Sequence, residues 1–343
     1  MSAVNGVTVA IPPPEGIEVD FSNPQRNGTT AMYLVFAIGI LVSHLFLAQN
    51  LYVKLYLRRK MDIEVCMVLL AEATSLTTQG LLLYTFIYGI IGVHAWEVSL
   101  EKFGEFAKIF FITPLIFCPL VTFAKLALAL FYRSLSPQKW WKWSIASIIA
   151  FIIGYNISIF FALLFACTPV QKSWDVTITT GYCVDRSSIY VSQVAFGTVT
   201  DVLLFSIPIP MVLQLRISGA QKVGLLAIFA FGLVTVITGI VRIIMLLLPD
   251  FTSIDQTWVV PPPIIVSIAE INLLVACATF PTLKGFFWHV APRVFGEMSS
   301  RGYKRAYDIS KDNYRRGVQT IGSSGYDRRK LWFAACIDEE GLT

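Results

Sequence analysis

Five ionisable residues stand inside stretches that are otherwise almost wholly apolar: Glu72, Lys125, Asp201, Arg242 and Glu270. A charge in hydrocarbon is costly, so such residues pair with one another, line a polar cavity, or handle a proton or ligand. Their heights follow from counting about 1.5 Å per residue from the end of each apolar run. Glu72 and Lys125 fall about 10–12 Å from the same end. Arg242 and Glu270 both fall in the opposite third, and Asp201 near the middle. The counting predicts two ion pairs, Glu72–Lys125 and Arg242–Glu270, and leaves Asp201 without a cation at its own depth. As structural pairs these groups would fix helix register. As lining of a ligand cavity, for which all five are candidates, they would meet a ligand or a proton. Asp201 and Glu270 are then the carboxyls able to act as acid or base in an apolar pocket.

The elements that must hold these residues are seven apolar runs, near 32–53, 65–89, 106–131, 143–166, 188–213, 223–247 and 264–287. Each is long enough to cross a hydrocarbon core of about 30 Å. The chain has 343 residues, 55% hydrophobic and only 14% charged, with a mean hydropathy of +0.66. Soluble domains carry about 25% charged residues. These figures exclude a pair of soluble domains and specify an all-α, polytopic membrane bundle of seven transmembrane helices. Membrane lipids are its first partner.

Loop charge sets the expected orientation. Lys54, Arg58, Arg59 and Lys60 follow the first run, Arg133, Lys139 and Lys142 the third, and Arg216 and Lys222 the fifth. Lys284, Arg293, Arg301, Lys304 and Arg305 follow the last. The alternate loops carry Glu97, Glu101 and Glu105, then Asp250 and Asp255. Positive loops face the cytosol, so the N-terminus is expected outside and the C-terminus inside. The net charge of +5 is thus a topology signal and gives no nucleic-acid partner. Three parts result: an outer arm at 1–31, a membrane domain at 32–290 and a basic cytosolic tail at 291–343. The tail reads as solvated and partly disordered, or as a docking surface for lipid or a cytosolic signalling partner. Trp96, Trp140, Trp141, Trp143, Trp258 and Trp288 fall at the run boundaries, where indoles favour the headgroup region. The N-terminus lacks the basic-then-apolar pattern of a cleaved signal, so the first helix is expected to direct insertion.

The loop between the fourth and fifth runs carries Cys167 and Cys183 around Trp174 and Asp175. On the outer side a disulfide is permitted, and closing such a loop is worth about 3 kcal/mol in the chain-entropy account. The alternative is pairing with a cysteine on another helix, for which Cys118 lies too deep. Cys66, Cys277 and Cys336 read as free thiols. Asn27-Gly28-Thr29 is a glycosylation sequon close to the first helix. Pro114 and Pro119 fall inside the third run, and Pro208 and Pro210 near the end of the fifth, where each can kink a helix. The three histidines and six cysteines show no metal-ligand spacing, and no glycine loop suited to phosphate exists. No metal or cofactor is expected.

An ordered set of segments carries a family resemblance. They are IPPPEGIEVDFSNP at 11–24, YGIIGVHAW at 88–96, KLALALFYR at 125–133 and FACTPVQKSWD at 165–175 with Gly181 and Cys183. Asp201 with IPIP at 207–210, Lys222, Gly232, Arg242, Glu270 and Pro281 complete it. In these the chain resembles the fungal rhodopsin-like-domain membrane proteins. That family includes receptor-like proteins of appressorium signalling and members encoded in secondary-metabolite clusters such as that for satratoxin. The resemblance implies a receptor-like sensor of a small lipophilic ligand or surface cue. It equally admits a membrane-embedded enzyme or accessory factor in a biosynthetic pathway. No lysine stands in the middle of the seventh run, so retinal is not expected. Phe131-Tyr132-Arg133 lacks the acidic residue of the D-R-Y motif of animal receptors, and the seventh run closes on A-T-F-P at 278–281 rather than N-P-x-x-Y. A transporter is disfavoured, because no repeated helix pattern is visible.

Overall fold

The computed structural model describes residues 2–283 and 286, apart from 5, 10, 17, 18, 22, 58, 60, 176, 208–218 and 249–254. The expected tail at 291–343, Pro208, Pro210, Arg58, Lys60, Arg216, Asp250, Lys284 and Trp288 lie outside the described residues.

Among the described residues, seven helices are long and apolar enough to cross a membrane, and the protein is a multi-pass membrane protein. They are α1 (Thr29–Leu51), α2 (Ile63–Ile87), α3 (Leu100–Leu135), α4 (Lys139–Leu164), α5 (Arg186–Ser206), α6 (Gly219–Leu247) and α7 (Pro261–Thr279). Two small strand pairs join them: β1 (Ser2–Val4) with β2 (Val7–Val9), and β3 (Cys167–Thr168) with β4 (Tyr182–Cys183). The seven apolar runs of the sequence correspond one to one with these helices. The main departures are at the ends. α1 continues as a π-helical segment over Tyr52–Leu57. α3 starts earlier than its apolar run because Ser99 caps it, its hydroxyl accepting from Lys102 N at 3.4 Å. Pro114 and Pro119 lie within a continuous α3.

α3 is the central element. It packs on α2 on one side, α4 on another, and reaches α7 across the bundle. α5 joins α4 to α6, α6 joins α5 to α7, and α7 closes on α1. Two close approaches depend on glycine. A Cβ at Gly39 on α1 would overlap the Asn272 amide on α7, and one at Gly232 on α6 would overlap the Phe205 ring on α5. Lipid tails give helices no hydrophobic reason to associate, so close backbone packing carries much of the association.

The tryptophans divide. Trp140 and Trp143 are exposed, as interfacial anchors should be. Trp141 is buried, and its Nε1 donates to Tyr132 O at 2.7 Å, joining α4 to the end of α3. Lys54 also departs from a solvated loop charge. It is buried and bridges Asp62 at 3.0 Å and Glu64 at 2.8 Å.

Candidate functional site: a four-charge cluster inside the bundle

α3 and α5 bring Lys125 against Asp201, with Nζ 2.9 Å from Oδ1. The same ammonium donates to Gly197 O at 2.6 Å and Thr200 Oγ1 at 2.8 Å. Both side chains are almost fully buried. Three acceptors match the three donors of an ammonium, so the Lys125 ammonium is saturated. The expected Glu72–Lys125 pair does not form. Counting residues fixes height on a helix, not the face, and Lys125 lies on the α5 side of α3. Asp201 is therefore not the isolated carboxylate that depth alone suggested. A flexible four-carbon stem bridges the difference in height.

α6 and α7 form the other half. Arg242 Nη1 lies 3.2 Å from Glu270 Oε2, the second pair that depth matching predicts. Nη1 also donates to Ser267 Oγ at 2.9 Å, and the guanidinium carbon sits 5.2 Å from the centroid of the Phe117 ring on α3. This half is not saturated. Glu270 Oε2 accepts no hydrogen bond and Arg242 Nε donates none, among the described residues. The Arg242–Glu270 contact is a charge contact without an aligned hydrogen bond. The two pairs lie within electrostatic reach of each other and sum to zero charge.

Glu72 stands apart from the cluster. It faces α1, where His44 Nδ1 approaches Oε1 to 3.4 Å. Two sets of polar contacts that a search for charges overlooks tie α2 to α7 and, nearer the other end, α1 to the turn after α7. Asn272 Nδ2 donates to Gln79 Oε1 at 3.1 Å, Gln79 Nε2 donates to Ser75 Oγ at 2.8 Å, and Gln49 and Asn50 both donate to Thr282 Oγ1. The signal for them was an amide in an apolar run. A small recess at that end, lined by Asn50, Lys54, Glu64, Phe131 and Thr282 among others, has room for about one water.

The end of the bundle that carries the disulfide is built from short polar contacts. Cys167 and Cys183 are bonded and sit opposite each other in the β3–β4 pair. Trp174 packs on Phe111 of α3 with centroids 5.1 Å apart, and Lys172 Nζ donates to the carbonyls of Thr179, Thr180 and Gly181. Asp185 caps α5, accepting from Ser187 N, Ser188 N and Ser188 Oγ, and these bonds hold its carboxyl below the usual range. The Thr177 hydroxyl and amide do the same for Asp175.

On the same end, His94 is stacked between Trp96 and Trp258, with centroids 4.4 and 3.8 Å away. Its Nδ1 lies 2.6 Å from Asp255 Oδ2, and Asp255 Oδ1 accepts from Ala95 N at 2.8 Å. The Asn27 side-chain amide donates to Trp258 O at 3.1 Å, Asn27 N to Gly92 O at 2.7 Å, and Gly92 N to Thr257 O at 2.9 Å. Burial pushes the neighbouring Glu97 carboxyl up, opposed by the charge of His94. Trp96 and Trp258 thus serve this contact, and not only a membrane boundary.

A sequence profile described as the fungal rhodopsin domain matches residues 50–289, which spans both pairs of the charge cluster. The chain belongs to the fungal rhodopsin domain family. Among curated relatives, a SAT4 family membrane protein of Emericella nidulans is 28% identical over 203 residues, covering 58% of this chain and 50% of that protein. Receptor GIN3 of Arthrobotrys oligospora is 22% identical over 263 residues, 70% of this chain and 59% of that protein. The polyenoic acids biosynthesis gene cluster protein Ba17b of Metarhizium anisopliae is 27% identical over 192 residues, 53% of this chain and 52% of that protein. The chain therefore spans about half to three fifths of the length of these relatives. No solved structure matches it.

Proposed function

We propose that this fungal rhodopsin-domain protein is a receptor-like sensor of a small lipophilic ligand or surface cue. The observation that carries the reading is the contrast within the charge cluster. The Lys125 ammonium is saturated, and its pair with Asp201 acts as the fixed member. Arg242–Glu270 keeps an unused donor and an unused acceptor, so a ligand group or a shift of α6 against α7 re-pairs it at little cost. A two-state element of this kind converts binding into helix movement. The expected orientation places the disulfide loop outside and the basic loops and tail toward a cytosolic partner. The relative named as a receptor agrees with this reading.

A second reading is favoured by the relative whose name places it in a biosynthesis gene cluster: an enzyme or accessory factor acting on a lipophilic intermediate. There Glu270, with its open oxygen, is the better acid–base candidate than Asp201, which Lys125 occupies. Gene deletion with untargeted metabolite profiling, complemented by Glu270→Gln and Asp201→Asn, separates the two. A lost cue response with unchanged metabolites supports the sensor. A defined accumulated intermediate that neither variant clears overturns it in favour of pathway chemistry.

A further inference from the structure

The two sulfurs of the Cys167–Cys183 bond stand in different surroundings. Cys167 is buried, whereas Cys183 is exposed, as are Tyr182 and Val184 on either side of it. Among the described residues, the cation at this bond sits on the buried sulfur. Arg186, in the first turn of α5, donates from Nη2 to Cys167 Sγ at 3.2 Å and to Ser173 O at 3.1 Å. Ser173 is itself buried, so the guanidinium is anchored where it stands. The carboxylates of the loop are engaged elsewhere. Asp175 accepts from Thr177, and Asp185 from Ser187 and Ser188.

A sulfur within a disulfide is a weak acceptor, and a guanidinium gains little from it. The same contact strengthens when the sulfur carries negative charge. A thiolate that attacks a disulfide places that charge on the sulfur that leaves. Exchange is faster when the attacked sulfur is accessible and the leaving thiolate is stabilised. Both conditions select one direction here, attack on Cys183 and departure of Cys167. We propose that Cys183 is a thiolation site, at which a low-molecular-weight thiol on the expected outer side exchanges with the loop disulfide. The incoming thiolate sulfur bonds to Cys183 Sγ, the Cys167–Cys183 bond breaks, and its electron pair leaves on Cys167 Sγ beside Arg186. Return attack by Cys167 on the mixed disulfide expels the small thiolate and restores the bond, so the cycle needs no further oxidant or reductant. β3 and β4 pair over only two residues each, and the loop they close reaches α3 through Trp174 and Phe111. Thiolation therefore loosens the connection between α4 and α5. The site does not depend on the sensor reading.

The test uses the full-length protein in phosphatidylcholine nanodiscs. Free thiols are blocked with N-ethylmaleimide, and reduced glutathione is then added. Products are quenched with iodoacetamide and mapped by mass spectrometry of unreduced peptides. The expected early product carries glutathione on Cys183 and the iodoacetamide adduct on Cys167. Glutathione on Cys167, or on both sulfurs alike, overturns the proposal. So does a bond that stays intact while the same glutathione exchanges with a disulfide-linked reference peptide. Arg186→Gln supplies the sign. A guanidinium that merely braced the loop would, once removed, open the disulfide and speed exchange. One that stabilises the leaving thiolate should, once removed, slow exchange severalfold, with Arg186→Lys recovering part of the rate. In the reduced protein, Arg186→Gln should also move the pH profile of Cys167 alkylation upward and leave that of Cys183 in place. Unchanged or faster exchange in Arg186→Gln overturns the assignment. Should that variant fail to fold, the product map of the parent decides alone.

Discussion

At the scale of single residues, the two halves of the charge cluster predict different mutational behaviour. Lys125→Met leaves Asp201 buried beside Gly197 and Thr200 without its cation. Breaking a buried pair from one side costs about 3–5 kcal/mol, whereas replacing both partners by apolar groups is often neutral. Lys125→Met should therefore sharply lower the melting temperature of the purified protein, and adding Asp201→Leu should restore most of it. Failure of the double variant to recover would mean that Lys125 is held by Gly197 and Thr200 more than by Asp201. At Arg242 and Glu270 the contact is unaligned, so an exchange of the two charges should keep expression where each single reversal loses it. Asp185 gives a pH prediction. Its folded-state carboxyl lies below the unfolded range, so its stabilising effect is complete above about pH 4 and fades as pH falls through the lower folded value. Protection of the Ser187 and Ser188 amides, measured against the intrinsic exchange rate at each pH, should fall on that descent in the parent and change little in Asp185→Asn.

At the scale of elements, the contacts at the disulfide end join three segments distant in sequence: the stretch around Asn27, the α2–α3 loop at Gly92–Glu97 and the turn before α7. The Asn27 amide nitrogen that a glycan would occupy is a donor to Trp258 O. We expect no electrophoretic shift on treatment with peptide N-glycosidase. Thr29→Ala, which abolishes the sequon but spares the amide, should leave stability unchanged, while Asn27→Gln should lower it by about 1–3 kcal/mol. A glycosidase-sensitive shift in the parent would show that the Asn27–Trp258 contact opens in the cell. This is also the scale at which the sequence stops being informative. Seven apolar runs were legible because each must satisfy its own backbone in lipid. The Cys167–Cys183 bond was legible because its loop is short. The height of Arg242 and Glu270 was legible because both are counted from nearby helix ends. Which way Lys125 points was not, since azimuth depends on how α3 is rotated against α2 and α5. His94 was hidden because its partners, Asp255 and two indoles, come from loops whose meeting only the folded bundle sets.

At the scale of the whole molecule, the bundle has one end fastened by a disulfide, stacked indoles and caps, and an opposite end where Lys54 is neutralised by Asp62 and Glu64. That neutralisation bears on orientation. The first basic loop loses Lys54 to a structural role, and its topological signal falls to Arg59 and its neighbours. The third loop keeps Arg133, Lys139 and Lys142 exposed, so it should carry more of the orientation than the first. Positive residues near helix ends orient a chain through the loops that hold them back from translocation. An N-terminal tag should accordingly be reached by antibody on intact cells and a C-terminal tag only after permeabilisation. Neutralising Arg133, Lys139 and Lys142 together should yield a mixed population, with both tags partly accessible, while Lys54→Gln should destabilise the protein without changing which tag is reached. The reverse result, inversion by Lys54→Gln alone, would mean that its bridges to Asp62 and Glu64 form only after insertion, with Lys54 still acting as a bare charge when the first helix chooses its direction.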